Sequence, residues 1–305
     1  MCKVAVLMST YNGEKYLKEQ VDSILSQKDV EIMLYVRDDG SSDSTIEIVK
    51  EYQKHNDNIV LYIGKNVGVG NSFMQLVYDA GNKFDYYAFA DQDDVWLPDK
   101  LTTAVRTIEE IKKPCLYASN QLIVDQELKK IGMRFFEHPN ISSKQIMCKN
   151  KLTGCTMVWN TELHRFLCND KYHPSSSLLE CRIHDVWVAM VASVVGVIIF
   201  DEKSYILYRQ HENNVIGVKK TNIFVNWINK INYTIQRNGR SRICAEILEK
   251  YGENMEGKII DELKPYAYYR NNSIYKYNLL KDKTMRKISG ESFVGFSIKV
   301  LFNLI

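Results

Sequence analysis

Nowhere in these 305 residues does a Gly-Lys-Ser or Gly-Lys-Thr triplet occur, so the core of a P-loop is missing. Gly68 and Gly70 open a G-x-G, but Phe73 stands where a dinucleotide fingerprint needs its third glycine. No apolar run approaches the ~20 residues that a membrane-spanning helix requires. The first strand-like run, Lys3 to Met8, is too short for a secretory signal and carries no small-residue cleavage site. Cysteine is scattered: Cys2, Cys115, Cys148, Cys155, Cys168, Cys181 and Cys244 are odd in number and form no C-x-x-C. They read as reduced thiols of a cytosolic protein, which argues against a disulfide framework or a zinc site. At 45% hydrophobic and 25% charged, the composition is that of a soluble globular protein with one large domain, or a domain and an appendage.

Charge is divided unevenly. From Val215 onward 16 Lys and Arg face 8 Asp and Glu, whereas the preceding residues carry 24 against 29. A basic tail behind a mildly acidic body predicts an anionic partner for the tail. No named nucleic-acid motif is present, so nucleic acid is not the expected partner.

The first hundred residues alternate between two periods. Apolar strand-like runs at 3–8, 31–37, 59–63 and 86–90 are each followed by a polar loop and a helical stripe, the stripes falling near 16–25, 45–55, 71–80 and 101–112. Strand, loop and helix in repetition predict an α/β fold, with a mostly parallel central sheet and helices on both faces. Farther on, 115–124 and 154–159 read as strands, 184–195 as an apolar helix and 197–208 as a strand or hairpin. Helices are expected at 222–237, 241–251, 256–281 and 285–304. In such sheets ligands gather outside the carboxyl ends of the strands. The unusual loops all fall at that edge.

The densest of them is Asp91-Gln92-Asp93-Asp94, after the buried-looking run Tyr86–Ala90. Three like charges at a strand end repel one another and lose solvation. A divalent cation carrying a diphosphate would compensate them, since oxygen ligands suit Mg²⁺ or Mn²⁺. The bland alternative is that Asp94 or Asp99 caps the following helix, which accounts for one aspartate and not three. Ser9-Thr10-Tyr11-Asn12-Gly13-Glu14 is suited to phosphate or base edges, or to helix capping by Ser9 or Thr10. Asp38-Asp39-Gly40-Ser41-Ser42-Asp43 is suited to a ribose hydroxyl or a pyrimidine N3–H, or to capping by Ser42 or Asp43. His184-Asp185 opens an apolar helix, and a carboxylate there could act as general base toward an acceptor hydroxyl. His211 follows another strand and could complete a metal site; the bland reading of a lone His or Asp, at 211 or at 185, is a surface or capping residue.

In order and spacing, Ser9-Thr10-Tyr11-Asn12, Asp38-Asp39-Gly40-Ser41-Ser42-Asp43, Asn66-x-Gly68 and Asp91-Gln92-Asp93-Asp94-x-Trp96-x-Pro98 resemble the inverting family 2 glycosyltransferases. The longer Asp91–Leu101 string and Tyr208-Arg209-Gln210-His211-x-Asn213-Asn214-x-x-Gly217 resemble the bacterial rhamnosyltransferase branch of that family. The motifs cover 4–217. The resemblance implies a GT-A domain over 1–217, with a nucleotide-binding half at 1–100 and an acceptor half at 101–217, then a basic helical region at 218–305. It implies a nucleotide-sugar donor and Mn²⁺ or Mg²⁺. Thr10, Tyr11, Asn12 and Glu14 would line the base and ribose pocket, with Asp39 reaching the pyrimidine. Asn66, Gly68 and Gln92 belong to the same donor site, and Asp91 would sit near the ribose and sugar. Asp93 and His211 would be metal ligands, and Asp185 falls at the place of the catalytic base.

The implied reaction is a single displacement that inverts the anomeric carbon. From dTDP-β-L-rhamnose it would give an α-rhamnoside, and a UDP-hexose donor is the alternative. The acceptor would be a saccharide or lipid-linked saccharide of bacterial cell-surface polysaccharide, which places the protein in the cytoplasm or at the inner face of the membrane. Phe293, Phe296, Ile298, Val300, Leu301, Phe302 and Ile305 could form an interfacial helix. The other reading of the tail is a helical appendage that packs on the core or forms a homodimer. Two rival functions are a sugar-1-phosphate nucleotidyltransferase, which needs a Gly/Arg-rich signature absent after the first strand, and a non-catalytic nucleotide-sugar or glycan binder.

Overall fold

The computed structural model describes residues 1–211 and 239–305. The expected helix at 222–237 and the Asn213–Gly217 part of the last motif lie outside the described residues. The chain runs β1 (Cys2–Thr10), α1 (Leu17–Leu25), β2 (Val30–Asp38), α2 (Thr45–Gln53), β3 (Ile59–Ile63), α3 (Val69–Ala80) and β4 (Tyr86–Ala90). Short β5 (Val95–Trp96), α4 (Lys100–Ile108), β6 (Cys115–Val124), β7 (Lys130–Met133) and α5 (Ser143–Lys149) follow. Next come β8 (Val158–Asn160), α6 (Thr161–Leu167), α7 (Ser176–Leu179), α8 (His184–Val195) and β9 (Val197–Arg209). After the break are α9 (Gly239–Tyr251), α10 (Gly257–Tyr268), α11 (Ser273–Lys281), α12 (Lys283–Ser289) and α13 (Phe293–Leu301).

Among the described residues nine strands form one sheet in the order β3-β2-β1-β4-β8-β6-β9-β5, with β7 on β6. The first four strands are parallel neighbours. β8 enters antiparallel between β4 and β6, and β9 returns parallel to β6. Alternation along β1 sorts its side chains to two cores, as a period of two requires. Val4, Val6 and Met8 pack with apolar residues of α1, α2 and α4, whereas Ala5 and Leu7 face α3, α6 and α8. Gly70 is a packing glycine: a Cβ there would meet the Leu179 carbonyl oxygen at 2.4 Å, so α3 can lie against α7.

The second core continues without a break into the C-terminal helices. Ile243, Ile247, Tyr251, Tyr266, Tyr269, Phe296 and Val300 belong to the same buried cluster as Trp159 and Trp187. Two long helices expected there are each divided. Asn272 stops the run at 256–281, its side chain accepting from the Tyr275 N–H at 3.0 Å to start α11. Gly290, in the left-handed region, ends α12, and Ser292 starts α13 by accepting from the Gly295 N–H at 3.1 Å. Helical composition hid these breaks, whose signals are the short polar runs Asn271–Ser273 and Ser289–Ser292. Among the described residues no helix is long and apolar enough to cross a membrane.

Candidate active site

The loops after β1, β2, β3 and β4 meet at the carboxyl edge of the parallel strands, and the first three are laced together. Asp38 is fully buried and accepts from the Gly40 and Ser41 N–H groups and from the Ser41 and Thr10 hydroxyls. Asp39 pairs with Arg37 at 2.5 Å and accepts from the Val67 and Gly68 N–H groups at 2.9 and 3.0 Å, which fixes the Asn66–Gly68 loop. Asn12, at φ 48, accepts from the Ser42 N–H, and Glu14 accepts from the Ser44 N–H. Burial pushes the Asp43 carboxyl up, but hydrogen bonds from the Thr45 hydroxyl and two backbone N–H groups outweigh it and hold the pKa low. Capping accounts for little of this: Ser9 bonds Ser72 and Thr10 bonds Asp38, although Asp43 does receive the Thr45 N–H at the start of α2.

Gln92 joins these loops to the carboxylate motif. Its amide accepts from the Tyr11 N–H at 2.9 Å and donates to the Tyr11 carbonyl at 3.1 Å, leaving the Tyr11 ring half exposed over the cleft. Helix α1 grips the same turn through polar side chains. Gln20 donates to the Asp91 carbonyl at 2.9 Å, Ser23 accepts from the Trp96 N–H at 3.0 Å, and Gln27 bridges Leu97 and Leu101. Asp99 precedes α4 yet makes no side-chain cap, and Asp94 turns instead to β9, accepting from the Arg209 N–H at 3.0 Å. Neither aspartate is therefore a helix cap.

β9 brings two residues into place that only its last turn can supply. The Arg209 guanidinium is buried and donates to the Asp93 carbonyl at 2.9 Å, to the Gln126 carbonyl at 2.5 Å and to Glu19. Two residues on, His211 Nε2 lies 2.8 Å from Asp93 Oδ2. Asp93 and His211, 118 residues apart in sequence, thus form one pair on the cleft wall. Arg209 and Arg37 are the organising cations that pattern reading missed. Their signal was an arginine at the end of an otherwise apolar strand.

Asp185 joins the cleft from the first turn of α8, where a carboxylate is favoured by the helix dipole. It is buried, and burial pushes its pKa up to about 7, against the Val186 N–H that donates to it at 2.6 Å and the nearby Arg134 and Arg182 charges. His184 beside it stacks on Phe73 at 3.9 Å between ring centroids, and burial pushes its pKa down to about 3, so it is neutral. Gly154 must be glycine here, because a Cβ would meet His184 Nε2 at 2.7 Å. Asp91 carries a raised pKa from burial and from the Asp93 and Asp185 charges, and Asp94 a strongly raised one from burial and the other two motif aspartates. Behind them, burial raises the Cys155 thiol and lowers Lys100 to about 7, with its Nζ 3.6 Å above the Trp96 ring.

The walls enclose a cleft of about 940 Å³. Thr10, Tyr11, Asn12, Asp39, Asn66, Gly68, Asp91, Gln92, Asp93, Asp185 and His211 all line it; Glu14 is turned instead to the 43–45 loop. Lys15, Tyr16 and Thr153 also line it and were not anticipated. Among the described residues two donor sets at the cleft could hold a cation. Asp91, Asp94 and Cys155 have ligand atoms within 4.8 Å of one another, but a thiol held protonated by burial is a poor ligand. Asp93 and His211, with Asp91 adjacent, offer oxygen and imidazole donors open to the cleft.

The half-parallel sheet with an aspartate-lined cleft at its carboxyl edge is an α/β fold of GT-A type. The chain belongs to glycosyl transferase family 2, whose sequence model matches residues 5–160, and it is a glycosyltransferase enzyme. It is 32% identical over 225 residues to the dTDP-rhamnosyl transferase RfbG of Shigella flexneri, an alignment spanning 69% of this chain and 73% of that one. The fold is similar to that of S. aureus TarS 1–349 in complex with UDP-GlcNAc, with a TM-score of 0.60 at 21% identity over 98% of this chain and 81% of the other. It is also similar to the mannosyltransferase PcManGT of Pyrobaculum calidifontis in complex with GDP-Man and Mn²⁺, with a TM-score of 0.53 at 14% identity over 98% and 87%.

Proposed function

We propose that this protein is a metal-dependent inverting rhamnosyltransferase. It would move L-rhamnose from dTDP-β-L-rhamnose to a hydroxyl of a saccharide or lipid-linked saccharide that becomes bacterial cell-surface polysaccharide. The observation that carries the reading is that Asp185, its pKa raised to about 7 by burial, lines one cleft with Asp91, Asp93 and His211. The rhamnosyl donor is drawn from the likeness to RfbG.

In this reading the loops after β1 to β3 hold the nucleoside. Tyr11 offers a ring for stacking, and Asp39 retains acceptor capacity toward a pyrimidine N3–H beside its three donors. Asp93 and His211, with Asp91, would hold Mn²⁺ or Mg²⁺, which when bound supplies positive charge to the diphosphate of the leaving nucleotide. Asp185 takes the proton of the acceptor hydroxyl as that oxygen bonds to the anomeric carbon from the face opposite the departing diphosphate. A base with a pKa near the working pH suits this transfer. One displacement inverts the centre, so no protein nucleophile is required.

A thermal-shift screen of nucleotide sugars with Mn²⁺ tests the assignment. Stabilisation by dTDP-rhamnose above UDP-glucose, UDP-GlcNAc and GDP-mannose is expected. Preference for a UDP-hexose would replace the donor, and a flat response to all of them would remove the transferase reading of the cleft.

A further inference from the structure

Among the described residues nothing covers the side of α13 that faces away from the core. Phe296 and Val300 enter the core, while Val294, Ile298, Leu301 and Phe302 lie on the opposite half of the helix and Phe293 stands at its first position; all five are about half or more exposed, Phe302 at 70%. Neighbouring α11 adds exposed Ile274 and Tyr277. Scattered exposed apolar residues are ordinary, but seven on two packed helices form a patch that asks for a partner.

The segment that carries these residues is basic. From Tyr268 to the end there are seven Lys and Arg against two Asp and Glu. Both acids are neutralised within the fold, Asp282 by Lys144 at 3.1 Å and Glu291 by Arg240 at 3.1 Å and Lys299 at 2.7 Å. Two of the cations lie directly on exposed aromatics: Lys281 Nζ is 4.1 Å from the Tyr277 ring centroid, and the Arg286 guanidinium 4.9 Å from that of Phe293. An aromatic body with a cation at its rim suits the boundary between acyl chains and anionic headgroups. A second copy of this surface would bring like charges together.

We infer that the α11–α13 surface docks on an anionic lipid bilayer, with Phe293, Ile298, Leu301 and Phe302 entering the acyl boundary and Lys281, Lys283, Arg286 and Lys287 meeting the headgroups. The inference does not rest on the donor or on the chemistry of the cleft.

Sedimentation of the full chain with vesicles of phosphatidylcholine alone, or with added phosphatidylglycerol, tests it. Binding is expected only to the anionic vesicles and is expected to weaken as salt is raised. The double variant Phe293→Ser/Phe302→Ser should weaken it by about tenfold or more, and each of Lys283→Glu and Lys287→Glu by about fivefold. Thermal unfolding unchanged from the parent chain shows that these exposed sites leave the fold intact. Failure to bind any vesicle, or variants that bind as the parent does, would overturn the inference. So would a dimer in analytical ultracentrifugation that the Phe293→Ser/Phe302→Ser change dissociates.

Discussion

The two walls of the cleft are both rich in aspartate, and they treat it in opposite ways. On the nucleotide side Asp38, Asp39 and Asp43 each receive three or four hydrogen bonds, so their charge is met inside the fold. On the reacting side burial raises Asp91, Asp94 and Asp185, and Asp94 Oδ2 has no hydrogen-bond partner. The first wall is finished by folding. The second holds charge that folding leaves unmet, which is the condition in which a bound cation and a substrate proton do the most.

Substitutions on the reacting wall should therefore cost activity and not stability. Asp185→Asn is expected to lower turnover by about 10³-fold while dTDP-rhamnose affinity, measured by calorimetry, stays within about twofold. A comparable loss of donor affinity would mean that Asp185 binds and does not act as base. Next in size, His211→Ala should raise the Mn²⁺ concentration for half-maximal activity by about 10–100-fold; an unchanged metal titration would take His211 out of the ligand set. The pH profile follows from Asp185, which must be ionised to accept a proton. The rate at subsaturating substrate should fall tenfold per unit below about pH 7 and level off above it. A level profile down to pH 5 would remove the neutral-range base.

Stability should move the other way on the two walls. A carboxyl whose pKa rises on folding contributes stability while protonated. That contribution is complete below the unfolded value of about 4 and is lost as pH rises through about 7. The free protein with Asp185→Asn should thus melt a few degrees above the parent at pH 8 and equal to it near pH 4. Asp38→Asn leaves two backbone N–H groups and two hydroxyls contesting a poorer acceptor, and should cost about 1–3 kcal/mol in denaturant unfolding. If both changes destabilise alike, the contrast between the walls fails.

Much of the frame was legible because its signals are local. The first four strands are apolar runs bounded by turn residues, and 59–63, 86–90, 115–124 and 184–195 match the observed elements end for end. β5 and β7 are two and four residues long and owe their state to neighbours supplied by distant sequence, which no window can show, whereas the strand expected at 154–159 is realised only at its end, in β8. In the cleft, residue types pointed to the Asp91–Asp94 cluster and raised Asp185 and His211 as candidates, whereas the roles of those two and the Asp93–His211 pairing came from family likeness. Arg37, Gln20 and Arg209 act through contacts made only after folding, and so their motifs read as ordinary strand or helix residues.

The spacing of Asp93 and His211 also sets when their contact can form. The strand that carries His211 pairs with β6 and β5 near the far edge of the sheet, and it is the last strand in the described chain. A nascent polypeptide that has emerged only through β5 carries Asp93 without the histidine that pairs with it. On the function proposed above, the cation site is complete only once synthesis has passed residue 211.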